Sequence, residues 1–237
     1  SQFTGAELVA EKWNLSREDL DKFALESHQK AANATESKYF DREILPVEGK
    51  NAEGINEMVM ADEGIRFDAS LDKLAGLNPV TEGGVITAGN ASQITDGAAA
   101  VMICNDAGLK KIQSNPRAEI VSISVVGDDP VFMLTGPIPA SHKALEAANL
   151  TIEDIDLYEV NEAFAPVPLA WAHDLKADKS KLNVNGGAMA LGHPLGATGA
   201  KLMTTLLHEM ERRESTYGLQ AICEGGGTAN ATIIKRI

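Results

Sequence analysis

Beginning at residue 118, short apolar runs alternate with amphipathic stretches, and this alternation restricts the fold more than any other feature of the sequence. Residues 120–126 read as a strand, 141–149 as a helix, and 155–160 as a second apolar strand introduced by the Thr-Ile-Glu-Asp of 151–154. Strand, helix and strand in succession indicate an α/β architecture. The clearest helix follows at 197–213, where Leu202, Met203, Leu206, Leu207 and Met210 share one side and Arg212 and Arg213 complement the dipole in the last turn. Residues 219–223, a triple glycine at 225–227 and residues 229–237 then predict two strands joined by a tight loop. Cys223 ends the first of them, beside exposed backbone.

Upstream the pattern is different. Ser16-Arg17-Glu18-Asp19 has the form of a capping box, and Leu20, Phe23, Ala24, Ser27 and Ala31 then fall on one helical face. Between Tyr39 and Thr87 six prolines and glycines and a Gly83-Gly84 pair break the periodicity, which predicts a loop-rich excursion. The apolar run 98–104, bounded by Asp96-Gly97 and Asn105-Asp106, reads as a strand buried on both faces, with Cys104 an inert core thiol.

Composition excludes several function classes. With 237 residues, 44% of them hydrophobic, the chain is long enough for one or two domains with a real core. A formal charge of -13 argues against nucleic acid and against an anionic membrane surface, both of which need clustered cations. No apolar run is long enough for a bilayer span, and the expected location is the cytoplasm. The two cysteines, Cys104 and Cys223, have neither CxxC spacing nor flanking histidines, so no metal site or disulfide framework is predicted.

Three stretches combine reactive side chains with glycine-permitted backbone: NEAFA at 161–165, GGAMALGHPLG at 186–196 and CEGGG at 223–227. Each follows a predicted strand or precedes a helix, where backbone N–H groups converge on ligands. Taken singly, each has an ordinary structural explanation: a surface histidine, a turn, a buried hydrogen-bonding asparagine. Together and in this order they resemble the thiolase family of acetyl-CoA acetyltransferases and 3-ketoacyl-CoA thiolases. The likeness extends upstream through Leu15 to Asp19, Ser27 to Ala31, TAGNAS at 87–92 and Asp96 to Ala99.

The resemblance implies a layered α-β-α-β-α fold, of which this chain carries the loop region, the last strand and helix of the first half, and the complete second half. Its divisions are a helical, loop-rich coenzyme A-binding region at 1–92, a closing strand and helix at 93–115, and a C-terminal thiolase domain at 116–237. The implied activity is reversible thiolysis of a 3-ketoacyl-CoA, or the reverse Claisen condensation. His193 corresponds to the base that activates a nucleophilic cysteine, Asn161 to the residue holding an oxyanion-hole water, and Cys223 to the acid/base at the α-carbon. The N–H of Gly225 corresponds to half of a second oxyanion hole. Ser92 and Ala88 correspond to residues along the pantetheine arm, and Gly192 and Pro194 border the same groove. Coenzyme A thioester is substrate, no cofactor is held permanently, and a homodimer or homotetramer is expected.

Several positions depart from the pattern. The nucleophilic cysteine belongs to an N-terminal segment with no counterpart here, to be supplied by the rest of a longer chain or by a second polypeptide. Glu224 stands where a small apolar residue is commoner, Asn78 where a basic one is, and Pro166 and Pro168 are expected to interrupt the helix after Asn161. A thiolase-like subunit that binds thioesters without catalysis is the alternative that the absent nucleophile raises.

Overall fold

A computed structural model describes residues 1–51 and 53–237. In chain order the elements are α1 (Gln2–Lys12), α2 (Arg17–Glu36), β1 (Val47–Lys50), β2 (Asn56–Val59), α3 (Leu71–Ala75), α4 (Asp106–Ile112) and β3 (Ala118–Gly127). Then follow α5 (Pro137–Ala148), β4 (Leu157–Val160), α6 (Pro166–Leu175), α7 (Ala188–Leu191), α8 (Thr198–Arg212), β5 (Tyr217–Cys223) and β6 (Thr228–Arg236). The strands β3, β6, β5 and β4 form one sheet in that order; β4 and β5 run parallel and the other pairs antiparallel. The separate β1–β2 hairpin gives regular structure to part of the region read as loops.

Period-2 alternation assigns the two faces of the sheet. Leu219, Ala221 and Cys223 of β5 join the main core with residues of α1, α5 and α6. The alternate residues face α8: a Cβ on Gly218 would lie 2.5 Å from Met210 Sδ, so only glycine lets that helix approach so closely. Leu157, Leu206, Met210 and Ile234 close the α8 side. On β3, Ser122 and Ser124 donate to the carbonyls of Ala144 (2.8 Å) and Ala140 (2.6 Å), satisfying buried hydroxyls where α5 crosses.

The capping box at Ser16 forms as expected: the Ser16 hydroxyl accepts from Asp19 N (3.2 Å) and Asp19 Oδ2 accepts from Ser16 N (2.9 Å). Leu20, Phe23, Ala24, Ser27 and Ala31 are buried on one face of α2. Two expectations need correction. Residues 98–104 form no strand: Val101 is 39%, Met102 76% and Ile103 72% exposed, and Cys104 is an exposed thiol, not a core one. An apolar run becomes a buried strand only if neighbours complete its ladder, and among the described residues none does. Pro166 and Pro168 do not interrupt a helix but begin one, since they occupy the first turn of α6, where no backbone N–H is required.

Candidate active site

The first motif leaves the sheet at the carboxyl end of β4. Asn161 N donates to Ala221 O (3.0 Å), carrying the parallel ladder one residue past the strand, and Asn161 is fully buried. Its neighbour Glu162 turns to the other side as a clamp. Glu162 Oε2 accepts from Ser27 Oγ (2.7 Å) and Met189 N (3.1 Å), and Oε1 accepts from Asn183 Nδ2 (2.9 Å). Burial pushes this carboxyl upward while the three bonds pull against it. The clamp joins α2, the end of β4 and α7, and it fills the space a side chain at Gly187 would need.

The TAGNAS loop docks onto the same motif. Ser92 N donates to Ala163 O (3.0 Å) and Ala165 N to Asn90 O (2.9 Å). Asn90, fully buried, accepts from Thr87 N (2.9 Å) and donates to Asp21 Oδ1 and Val85 O (both 3.0 Å), which fixes the loop on α2.

His193 is placed by the turn before α8. Gly192 has φ +82, and a Cβ there would run into the Thr95 side chain, so the turn requires glycine twice over. His193 N donates to Gln93 O (3.1 Å). The imidazole touches two side chains: Nδ1 lies 2.6 Å from Thr198 Oγ1, and Nε2 lies 3.3 Å from Asn161 Nδ2. Thr198 Oγ1 also lies 3.0 Å from Pro194 O, a group that only accepts. The single hydroxyl proton therefore goes to Pro194, the hydroxyl accepts from His193 Nδ1–H, and Nε2 is left unprotonated, accepting from Asn161 Nδ2–H. Burial, and secondly the charge of Lys201, hold the imidazole below its ordinary range, so it is neutral at pH 7. Asn161 Oδ1 is buried without a partner among the described residues.

Cys223 lies at the same end of the sheet. Val160 pairs in register with Ala221, so Asn161 and Cys223 sit at the carboxyl ends of neighbouring parallel strands. Gly199, next to Thr198, packs against Ile222, with 3.6 Å from an ideal Cβ to Cδ1. The first turn of α8 thus brings the His193 side of the site onto the end of β5. Cys223 is 8% exposed, and burial pushes its thiol up to about 12, with Glu224 adding in the same direction. Beyond it Gly225 faces open space, where a Cβ would meet nothing within 4 Å. Pro194 is buried against Gly97, and Ala88 is exposed. Glu224 is held by its neighbours, accepting from Asn230 Nδ2 at 2.6 Å.

A cleft of about 450 Å³, lined by Thr95, Asp96, Gly97, Pro194, Leu195 and Ala197, opens beside the His193 turn. A second, of about 230 Å³, lies between α2 and the loop after β2, with His28, Arg66 and Phe67 in its wall. Sequence reasoning singled out neither Thr198 nor Glu162, although a hydroxyl five residues after the histidine, at the start of a helix, is a readable signal. Among the described residues no three His, Cys, Asp or Glu side chains are grouped to hold a metal ion, and no helix is long and apolar enough to cross a membrane.

The family profile of the thiolase N-terminal domain matches residues 3–107, and that of the thiolase C-terminal domain matches residues 114–236. The chain belongs to the thiolase family. It is 55% identical over 237 residues to the steroid 3-ketoacyl-CoA thiolase FadA6 of Mycobacterium tuberculosis, a match covering 100% of this chain and 57% of that protein. A 3-ketoacyl-CoA thiolase of Yersinia enterocolitica is 46% identical, with 98% of this chain and 61% of the relative covered. The acetyl-CoA acetyltransferase of Bacillus anthracis superposes with a TM-score of 0.94 at 41% identity, over 99% of this chain and 60% of that one. Human mitochondrial 3-ketoacyl-CoA thiolase in complex with CoA gives 0.91 at 43% identity, over 99% and 58%. The chain thus has the thiolase fold and spans about three fifths of the length of the relatives it matches.

Proposed function

We propose that this chain supplies the acid/base and oxyanion half of a 3-ketoacyl-CoA thiolase site, with the nucleophilic cysteine contributed from outside residues 1–237. The observation that carries this reading is the imidazole of His193, pinned through Nδ1 by Thr198 with its unprotonated Nε2 3.3 Å from Asn161 Nδ2. A neutral imidazole so held takes the proton of an approaching thiol at Nε2. The thiolate attacks the keto carbon, the bond to the α-carbon breaks, and the electron pair is left on an enolate. His193 Nε2, now protonated, and a water on the unpartnered Asn161 Oδ1 donate to the enolate oxygen. Cys223, a thiol kept protonated by its burial, returns the proton to the α-carbon. Coenzyme A gives its thiol proton to the Cys223 thiolate and attacks the S-acyl carbonyl; the bond to the cysteine sulfur breaks, and the leaving thiolate takes back the proton from His193 Nε2, completing the cycle. The N–H of Gly225, a residue with open space at its Cβ position, serves the tetrahedral intermediate.

In this reading Ser92, Ala88, Gly192 and Pro194 border the pantetheine arm, residues 1–92 form the coenzyme A-binding region, 93–115 close the first domain and 116–237 form the second. The working enzyme is a cytoplasmic homodimer or homotetramer acting on 3-ketoacyl-CoA, the substrate class that the names of the relatives carry. The test is turnover of the protein complemented with the N-terminal thiolase segment: His193→Ala and Cys223→Ala should each lower kcat by about 10²- to 10⁴-fold. Unchanged turnover in either variant overturns the assignment.

One observation favours a second reading, a thioester-binding subunit without catalysis. The cysteines of residues 1–237 are the exposed Cys104 and the buried Cys223, and among the described residues the hydrogen-bond neighbour of His193 Nε2 is Asn161 and not a thiol. Mass spectrometry after incubation with acyl-CoA and the complementing segment separates the two, because a non-catalytic subunit leaves every cysteine unacylated.

A further inference from the structure

Behind His193 and Asn161, under the first half of α8, two buried side chains are left without partners in a way the site described above does not use. Glu159 stands in the middle of β4 at 2% exposure, and its register partner on β5 is Gln220 at 5%. Both point toward α8. Leu157, two residues before Glu159, packs on Leu206 and Met210, and Gly218, two before Gln220, lies against the same pair. Among the described residues Glu159 Oε2 and Gln220 Oε1 each lack a hydrogen-bond partner.

Two acceptors on register-paired residues of one sheet face, shielded from water, are each left unsatisfied, and one proton shared between them removes both deficits. Only the carboxyl can bind that proton. The charges around Glu159 agree: Lys201 and Glu209 on α8, Glu43 before β1 and, from the other side of the sheet, Glu162 just past β4 set three carboxyls against one ammonium.

We propose that Glu159 is a positioning residue that works as a neutral acid, its carboxyl proton donated to Gln220 Oε1 across the parallel strands. The bond ties β4 to β5 two residues before Asn161 and three before Cys223, and so sets the spacing of two groups the thioester reading needs. Burial drives the Glu159 carboxyl well above the usual carboxylate range, the same direction. The consequence for turnover rests on that reading; the pairing itself does not.

Infrared spectroscopy of this chain at pH 7 tests the pairing. The wild-type minus Glu159→Gln difference spectrum should show a protonated-carboxyl carbonyl band distinct from that of Glu43, and the band should shift in Gln220→Leu. If Gln220 instead turns its amide to donate to an ionised Glu159, spectra of the wild type and Glu159→Gln show no difference in that band, and the proposal fails. In the complemented enzyme Glu159→Leu should lower kcat about 10- to 100-fold with KM little changed, as expected for misplaced groups. Glu159→Gln, neutral and able to donate through Nε2, should restore most of it; a loss as large as that of Glu159→Leu overturns the neutral-acid role. Full turnover of His193→Ala would instead sink the thioester reading and leave the infrared result standing.

Discussion

The Thr198 hydroxyl determines which nitrogen of His193 is free, and replacing it with an isosteric side chain isolates that effect. Thr198→Val keeps the shape but deletes both the acceptor for Nδ1–H at 2.6 Å and the donor to Pro194 O at 3.0 Å. Thr198 is 2% exposed, so water does not readily replace the lost partner of Nδ1. Leaving such a donor unsatisfied costs about 1–3 kcal/mol. If that energy now holds the imidazole in its productive tautomer, its loss lowers kcat by roughly 5- to 150-fold, at about 1.4 kcal/mol per decade. Thr198→Ser, which retains the hydroxyl, should recover most of the rate. The assay pairs thiolysis kinetics of the complemented enzyme with ¹⁵N NMR of the histidine ring, in which wild-type His193 reads as Nδ1-protonated at neutral pH. A Thr198→Val protein with the same ring-nitrogen shifts and turnover within about twofold would refute the pinned-imidazole argument, whatever its stability.

Further consequences concern stability, pH and reactivity. Gly192→Ala combines φ +82 with a clash at Thr95 and should destabilise the chain by roughly 1–3 kcal/mol, read as a fall in the denaturant midpoint. Burial raises Glu43 to about 7, although the Thr205 hydroxyl 3.1 Å away and Lys201 pull it down. The folded state therefore binds the proton more tightly than the unfolded chain, so this contribution is full below pH about 4.5 and is lost as pH rises through about 7. Glu43→Gln should flatten that decline, gaining up to roughly 3 kcal/mol over wild type above pH 7 in melts followed by circular dichroism. An equal pH slope in both proteins contradicts the burial argument. Iodoacetamide on the folded chain should alkylate the exposed Cys104 and spare the buried Cys223, with both reacting after unfolding.

Elements whose partners lie close in sequence were legible. The Ser16 capping box, the apolar face of α2, the long helix α8 and the β5–β6 hairpin all follow from local periodicity and turn chemistry. Residues 98–104 were not, because β pairing is a property of neighbours: the same apolar run is a core strand beside a ladder and exposed chain without one. In the site, the motifs marked Asn161, His193 and Cys223; the fold places Asn161 Nδ2 3.3 Å from His193 Nε2, and Cys223 ends the strand beside the one that leads to Asn161. The roles of Thr198, Glu162 and Glu159 depend on which atoms face one another across distant segments, and spacing alone does not show that. Glu159 left one trace, a carboxyl inside the otherwise apolar run 155–160 that also holds Asp156 at its edge.

Hydrogen–deuterium exchange at the α-carbon of acetyl-CoA, followed by ¹H NMR in D₂O with the complemented enzyme, reads enolate formation without requiring carbon–carbon bond chemistry. Exchange should proceed with the wild type, fall by orders of magnitude in Cys223→Ala, and fall by about 10²-fold or more in Asn161→Ala, while acylation of the nucleophile still occurs in both. Exchange at the wild-type rate in Cys223→Ala would place the base elsewhere and contradict the assignment of Asn161, His193 and Cys223 to one thioester carbonyl.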